Sequence, residues 1–141
     1  MITTIPHEDP NPTHLLVLNK FPVIPEHFIL ATWENKPQTH LLEEDDLGAT
    51  YACLRAWRDG SREELFAFFN SGEHSGASQP HRHLQFLPVE KMREQDGSEG
   101  WDVLVNGLVN KEADDCMCAA FFGNHRTYMS LINNGLILRL L

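Results

Sequence analysis

The sequence predicts an α+β fold in which one antiparallel sheet packs against at least one helix. Short runs of β-branched, aromatic and aliphatic residues recur along residues 13–89, and such runs are typical of strands. One longer segment among them carries apolar residues at helical spacing. The chain has 141 residues, which is enough for the core of one domain, and a second full domain is not expected.

Two neighbouring strands are predicted near the start, after a tail that covers residues 1–12. Residues 15–18 and 28–33 are rich in strand-forming side chains, and Pro22 and Pro25 punctuate the segment between them. Proline lacks the backbone N–H that the interior of a sheet requires, so this segment is expected to connect the strands rather than to belong to one. We expect the two strands to pair in antiparallel fashion.

A helix is predicted after Thr39, which is a suitable N-cap residue. Leu47, Tyr51 and Leu54 recur at the spacing of one helix face. Acidic residues lie early in the segment and arginines late, and Gly60 follows the last turn, as the helix dipole and glycine C-caps favour. The expected helix therefore runs from Thr39 to just before Gly60.

The second half of the predicted sheet brackets a loop. Residues 64–70, ELFAFFN, form a short apolar run typical of a buried strand, and after the loop over 71–80 the segment HRHLQFLPV, residues 81–89, resumes as a strand. A solvated loop over 91–100 and a last strand over 135–141 are also predicted. Between them a short amphipathic helix is expected from Trp101, Leu104, Val105 and Leu108.

The strand after the loop carries a row of polar side chains. Because side chains alternate faces along a strand, His81, His83 and Gln85 are expected on one face. The intervening residues are expected on the opposite face, where Leu84 and Phe86 suit the core. A face that meets only water more often carries Lys, Glu or Thr, so this row favours a ligand site.

The loop ahead of the histidines consists largely of small residues, which are Gly72, Gly76, Ala77 and Ser78. Their backbone N–H groups can approach an anion closely and form a nest for phosphate oxygens. Imidazole is a competent nucleophile toward phosphorus near neutral pH. The pattern alone leaves three interpretations open: phosphate chemistry, a metal site built on the H-x-H pair, and a structural role. Zinc needs three or four ligands, and Gln85 is a poor third.

Composition narrows the class of protein. The formal net charge is −9, from acidic residues spread along the chain, which disfavours nucleic-acid binding because that depends on clustered Lys and Arg. No segment has the run of apolar residues of a membrane span, and the N-terminus does not resemble a secretory signal. A cytoplasmic location is expected, with a nuclear one as the alternative. Cys53, Cys116 and Cys118 are expected to be reduced thiols.

The motif HRHLQ, residues 81–85, resembles the His-x-His-x-Gln pattern of the transferase branch of the histidine-triad superfamily. Residues 18–32, LNKFPVIPEHFILAT, and 68–88, FFNSGEHSGASQPHRHLQFLP, are similar to the ATP adenylyltransferase, or diadenosine tetraphosphate phosphorylase, family of fungi and bacteria. The resemblance covers residues 13–89 and implies a histidine-triad-like antiparallel sheet with packed helices. Residues 90–141 are expected to complete or flank the same domain.

The resemblance implies reversible phosphorolysis of diadenosine tetraphosphate to ATP and ADP through a covalent nucleotidyl-histidine intermediate. It implies that His83 is the nucleophile, that Gln85 hydrogen-bonds the transferred phosphate and that His81 positions His83 or a phosphate. The substrate-binding residues that it implies are Lys20, Asn70, Gly76, Ala77, Ser78, Gln79, His81 and Gln85. No bound metal or cofactor is implied, although a divalent cation can accompany the nucleotide.

Glutamine in the third position has a chemical consequence, because an amide cannot serve as a general acid or base for water. Transfer to phosphate is therefore favoured over hydrolysis. The expected partners are small nucleotides and phosphate, with no nucleic acid or membrane, and the chain is expected to be a monomer or homodimer. Family members are longer on both sides, so a partial chain is expected. The alternatives are a histidine-triad nucleotide hydrolase and a truncated, non-catalytic nucleotide-binding remnant.

Overall fold

The computed structural model describes residues 1–61, 63–71, 75–100 and 102, and the backbone of residues 118–122, 125–132 and 135–140. The elements in chain order are β1 Thr3–Ile5, β2 His14–Leu18, β3 Phe28–Thr32, α1 Glu44–Ser61, β4 Leu65–Asn70, β5 His83–Pro88, α2 Val89–Arg93, β6 Cys118–Phe122, β7 His125–Ile132 and β8 Gly135–Leu140. The described strands form one sheet in the order β1-β2-β3-β5-β4-β8-β7-β6, and each neighbouring pair is antiparallel. The predicted α+β class is confirmed.

The hydrophobic core lies between α1 and one face of the sheet. Leu84 and Phe86 of β5 are 1% and 0% exposed, and Phe86 stacks on Phe28 with ring centroids 4.8 Å apart. Leu54 of α1 belongs to the same cluster. Burying such side chains stabilises the fold by about 1.5–3 kcal/mol each. Because Leu84 and Phe86 face α1, period-two alternation turns His83 and Gln85 toward the opposite face.

The register of the sheet places the histidine strand between two partners. Phe28 pairs with Phe86 and Ala31 with His83 on the β3 side, while Leu65 to Phe68 pair with Pro88 to Gln85 on the β4 side. The predicted antiparallel pairing of residues 15–18 with 28–32 is confirmed, since Leu18 pairs with Phe28.

The predicted start of the helix is wrong, because α1 begins at Glu44 and Thr39 lies in a turn. The segment before α1 is tied to the lead-in of β5 by two backbone bonds: Gln38 N–H donates to the Pro80 carbonyl and Arg82 N–H to the Lys36 carbonyl. The helix is capped instead by the Asp46 carboxylate, which accepts a 2.7 Å hydrogen bond from the Glu43 N–H. This bond is one half of a capping box, and it satisfies the backbone N–H of the residue that precedes α1.

The end of α1 also differs from the prediction, because Gly60 lies inside the helix, which ends at Ser61.

The buried thiol of Cys53 is free, and desolvation raises its pKa to about 12. That thiol is therefore protonated and unreactive near neutral pH.

The two ends of the chain contain elements that the sequence did not indicate. Thr3–Ile5, inside the predicted tail, pairs with β2 as β1. The loop predicted after β5 begins instead with α2. The predicted last strand is confirmed as β8, whereas β6 and β7 were not predicted. The amphipathic helix expected around residues 101–108 falls outside the described residues, apart from Asp102.

Neither α1 nor α2, the helices within the described ranges, has the length and apolar character that crossing a bilayer requires.

Candidate functional site

His83 is the first residue of β5, and its ring is oriented by the backbone. Its Nδ1 atom lies 2.8 Å from the His81 carbonyl oxygen, and the side chain is largely buried, with 8% of the residue exposed. A carbonyl oxygen can only accept a hydrogen bond, so Nδ1 carries the proton. In the neutral ring Nε2 therefore keeps its lone pair. The local geometry selects the tautomer in which Nε2 is a nucleophile or a ligand.

The backbone of His83 is held by the buried side chain of Gln38. The Gln38 Oε1 atom accepts from the His83 N–H at 2.7 Å, and Gln38 Nε2 donates to the His83 carbonyl at 3.1 Å. The same Nε2 donates to the Asn70 carbonyl at 2.8 Å. Regular pairing of β4 with β5 ends at Phe68 and Gln85, so one amide bridges the ends of both strands. Gln38 thus fixes the position of the His83 backbone at the start of β5.

Replacing Gln38 with leucine is expected to lower the free energy of unfolding by about 2 kcal/mol, because buried backbone groups of His83 and Asn70 lose their partner. Denaturant unfolding measures the change. The matched control is Gln95→Leu, since Gln95 is exposed and its side chain contacts only the Lys91 carbonyl among the described hydrogen bonds. Equal stability of the two variants would contradict the proposed bridging of β4 and β5 by Gln38.

His81 precedes β5 and forms an isolated bridge with Pro37. Its ring is turned away from His83: Nε2 lies 2.8 Å from the Thr32 carbonyl and 3.2 Å from the Glu34 carbonyl. Nε2 therefore carries the ring proton. His81 acts on His83 through its backbone carbonyl, while its ring fastens the end of β3 to the start of β5.

Gln85 lies two residues further along the same face, and His27 contacts it. Its Oε1 atom is 3.0 Å from His27 Nε2, and it pairs with Ile29 across the sheet. His27 is 3% exposed, and burial lowers its pKa despite the hydrogen bond to Gln85. A neutral imidazole, that of His27, therefore contacts the Gln85 amide two residues from His83.

The remaining predicted site residues lie at both ends of this row. Gly76, Ala77, Ser78 and Gln79 lie in the loop that runs directly into His81, and Asn70 ends β4. Gly76 has a φ of 77°, a backbone conformation that favours glycine. Lys20 is exposed in the connection after β2, and its Nζ lies 5.3 Å from the Phe21 ring centroid. Leu18, at the end of β2, pairs with Phe28, which pairs with Phe86. Lys20 follows this end of β2, so it lies beyond Gln85 as seen from His83.

A buried ion network lies beneath the row, on the α1 side. Arg82 Nη1 is 2.8 Å from Asp46 Oδ2 and 2.9 Å from Glu43 Oε1, and His14 Nε2 is 3.0 Å from Asp46 Oδ1. Arg82, Asp46 and His14 are at most 1% exposed. Burial alone would raise the pKa of Asp46, but the hydrogen bonds from His14 and the Glu43 N–H, with the Arg82 charge, hold that pKa below its usual value. The network anchors the residue between the two histidines to α1.

An apolar cleft of about 1190 Å³ lies between β1, β2 and α1, on the side of the sheet opposite to His83 and Gln85. None of the predicted site residues lines it. Within the part of the chain that the structure describes, no group of three or more His, Cys, Asp and Glu side chains is arranged to hold a metal ion. The groups that His83 and Gln85 offer at this face are an imidazole and an amide, which supply hydrogen-bond donors and acceptors.

Sequence reasoning missed several residues that shape this site. His27 precedes β3 at the alternate position to Phe28, so its facing could have been inferred from the core side chain beside it. No pattern in the sequence indicated a role for Gln38 or Arg82. Gln38 lies in a turn, and arginine is usually an exposed residue. Their partners are distant in sequence.

The prediction that His81, His83 and Gln85 share one face of a strand is wrong for His81, which lies before β5 and turns its ring to the end of β3. An antiparallel α+β sheet with the His-x-His-x-Gln motif at the start of an inner strand, its first histidine just before that strand, defines a histidine-triad-like protein with glutamine in the third position. Comparison with known proteins narrows the class. Residues 6–99, about two thirds of the chain, match the family described as the Ap4A phosphorylase N-terminal domain. The chain belongs to this family.

Two curated relatives are from Saccharomyces cerevisiae (strain ATCC 204508 / S288c). The chain is 44% identical over 79 residues to diadenosine 5',5'''-P1,P4-tetraphosphate phosphorylase 2, which covers 52% of this chain and 24% of the relative. It is 46% identical over 80 residues to Protein APA1, which covers 56% of this chain and 25% of the relative. The chain therefore matches about a quarter of the length of each relative.

A solved structure, the yeast Ap4A phosphorylase Apa2 in complex with Ap4A, is similar with a TM-score of 0.61 and 29% identity. The alignment covers 84% of this chain and 38% of that structure. The likeness extends the family assignment from sequence to fold.

Proposed function

We propose that this chain carries the nucleotidyl-transfer site of a diadenosine tetraphosphate phosphorylase, which converts diadenosine tetraphosphate and phosphate into ATP and ADP. Membership of the Ap4A phosphorylase N-terminal domain family supports the reaction class. The yeast structure with bound Ap4A supports the choice of substrate.

The observation that carries the proposal is the hydrogen bond from His83 Nδ1 to the His81 carbonyl. It leaves the Nε2 lone pair free to attack an α-phosphorus. A P–N bond forms to the adenylyl group, the P–O bond to the departing ATP breaks, and ATP leaves with the electron pair. Phosphate then attacks the adenylyl-histidine, the P–N bond breaks, and ADP is formed while Nε2 regains its lone pair.

Gln85 makes phosphate the favoured second acceptor. An amide neither accepts nor releases a proton near neutral pH, so it cannot activate water as a third imidazole could. The covalent intermediate is therefore expected to persist until phosphate, which is itself a nucleophile, enters the site.

The length of the site fits an extended substrate. From His83 to Phe86 the strand rises by about 10 Å at roughly 3.3 Å per residue, with the small-residue loop before His83 and the Lys20 connection beyond Phe86. A polyphosphate lying along β5 would reach backbone donors of the loop at one end and the Lys20 ammonium at the other. The positive charge of Lys20 opposes the net charge of −9 locally.

The test is to incubate the protein with diadenosine tetraphosphate and ³²P-labelled phosphate and to separate the nucleotides. We expect label in ADP, unlabelled ATP in equal amount, and, without phosphate, no ADP and no more than one ATP released per protein molecule. The absence of a phosphate requirement, with AMP as a product, would contradict the proposal and favour a nucleotide hydrolase.

Binding without products would also contradict it. Substrate positioning can supply about 7–11 kcal/mol of a barrier, and the chain matches only about a quarter of its curated relatives. A protein whose thermal midpoint rises with diadenosine tetraphosphate but which forms neither ATP nor ADP is a nucleotide-binding domain without turnover.

A further inference from the structure

We propose that His27 is a positioning residue that fixes the orientation of the Gln85 side-chain amide, so that its NH₂ group faces the phosphate and its carbonyl faces His27. The inference rests on the proposed function, because it concerns how the same site binds phosphate. Two bonds around one buried imidazole decide the orientation.

The first bond fixes the tautomer of His27. The backbone N–H of Val23 donates to His27 Nδ1 at 3.4 Å. A backbone N–H can only donate, so Nδ1 must present a lone pair. A neutral imidazole carries one ring proton, which therefore lies on Nε2.

Asn19 lies against the same ring without deciding its tautomer. Its Oδ1 accepts a 3.0 Å hydrogen bond from the Phe21 N–H, which directs its Nδ2 toward the ring. That Nδ2 lies 3.2 Å from both ring nitrogens of His27. An amide nitrogen equally distant from both ring nitrogens is not directed at either in-plane lone pair, so the Val23 bond alone decides the tautomer.

The second bond transmits this tautomer to Gln85. His27 Nε2 lies 3.0 Å from the Gln85 amide, and its proton requires an acceptor there. With the amide reversed, two N–H groups would face each other across 3.0 Å, which is repulsive. The chain of donors therefore runs from the Val23 backbone through His27 to the Gln85 carbonyl oxygen.

His27 remains neutral because of where it lies. It is 3% exposed, and burial lowers its pKa. A doubly protonated ring would place a second donor against the Val23 N–H. The neutral ring thus holds one hydrogen-bond pattern near neutral pH.

The consequence for ligand binding follows from the chemistry of phosphate. Phosphate oxygens accept hydrogen bonds, so only the NH₂ end of Gln85 can bind them favourably. The two ends of an amide have nearly the same shape, and an unsupported amide would also present its carbonyl, which repels a phosphate oxygen. His27 excludes that orientation before the ligand arrives.

The experiment measures binding of AMP by isothermal titration calorimetry, which needs no turnover. Five proteins are compared: the parent, His27→Leu, His27→Gln, Gln85→Ala and the double variant His27→Leu/Gln85→Ala. We expect His27→Leu to weaken AMP binding about 10-fold, as loss of one charge-assisted hydrogen bond does. His27→Gln should stay within about 2-fold of the parent, because a glutamine NH₂ can donate to Gln85 while its carbonyl accepts from Val23.

The double variant separates positioning from a structural role. If His27 acts through Gln85, adding His27→Leu to Gln85→Ala weakens AMP binding no further. Additive losses would overturn the inference and give His27 a structural role. Thermal unfolding of each variant, with His40→Leu as an exposed control, shows whether the fold persists, and His27→Gln keeps the comparison valid if His27→Leu does not fold.

The outcomes also separate this inference from the proposed function. A parent that binds AMP and forms ADP, with His27→Leu indistinguishable from it, would overturn the role of His27 and leave the proposed function standing. A parent that binds AMP without turnover, with the expected pattern among the variants, would do the reverse. A parent that neither binds millimolar AMP nor forms ADP would contradict both.

Discussion

Replacing His83 with asparagine is expected to abolish phosphorolysis of diadenosine tetraphosphate, with a loss in kcat of at least about 10³-fold. The asparagine Nδ2 can take the place of Nδ1–H and donate to the His81 carbonyl, whose bond to His83 is 2.8 Å long. The variant has no atom in the position of Nε2. The strand should therefore keep its geometry and lose only the nucleophile. Initial rates of ADP formation measure the loss.

His40→Asn is the matched control, because it makes the same chemical change at an exposed histidine. It should retain the parent rate. AMP binding by His83→Asn should remain measurable, since Gln85 and the loop donors are unchanged. If His83→Asn formed ADP at the parent rate, His83 would not be the nucleophile.

Replacing Asp46 with asparagine is expected to lower the free energy of unfolding by about 3–5 kcal/mol, the usual cost of leaving a buried charge without its partner. The Asp46 carboxylate accepts from Arg82, His14 and the Glu43 N–H. An asparagine NH₂ group would face one of these donors. Denaturant unfolding at neutral pH measures the effect, and Asp45→Asn, an exposed change in the same helical turn, should alter stability by no more than about 0.5 kcal/mol.

The same network predicts a direction of pH dependence. The folded-state pKa of Asp46 lies below its usual value, so its contribution is present above the unfolded-state pKa of about 4 and is lost as pH falls through the folded-state pKa. The stability difference between the parent and Asp46→Asn should therefore shrink on acidification below about pH 4. A difference that stayed constant through this range would show that the Asp46 charge does not stabilise the fold.

The strands around the core could be predicted because local pattern and tertiary environment agree there. Residues 28–32 and 65–70 combine strand-forming side chains with a buried face, and both are strands. The start of α1 could not be placed, because Thr39 has the side chain of an N-cap while its neighbour Gln38 is committed to His83. Bonds between segments about 45 residues apart decided that boundary.

The candidate site was likewise predictable only in part. Alternation along β5 correctly separated His83 and Gln85 from Leu84 and Phe86, because it depends only on strand geometry. The tautomer of His83 depends on the His81 carbonyl, and the orientation of Gln85 depends on His27, which is 58 residues away. Such contacts arise from the sheet register, which sequence periodicity does not specify.

The central claim is that His83 Nε2 forms a covalent bond to the adenylyl group. The most direct measurement is a single-turnover reaction of excess protein with diadenosine tetraphosphate without phosphate, followed by mass spectrometry of the intact chain and its peptides. The account predicts an adenylyl adduct on His83 that is labile in acid, stable in alkali and discharged as ADP when phosphate is added. Formation of ATP and ADP with no adduct on the parent, or with an equal adduct on His83→Asn, would contradict it.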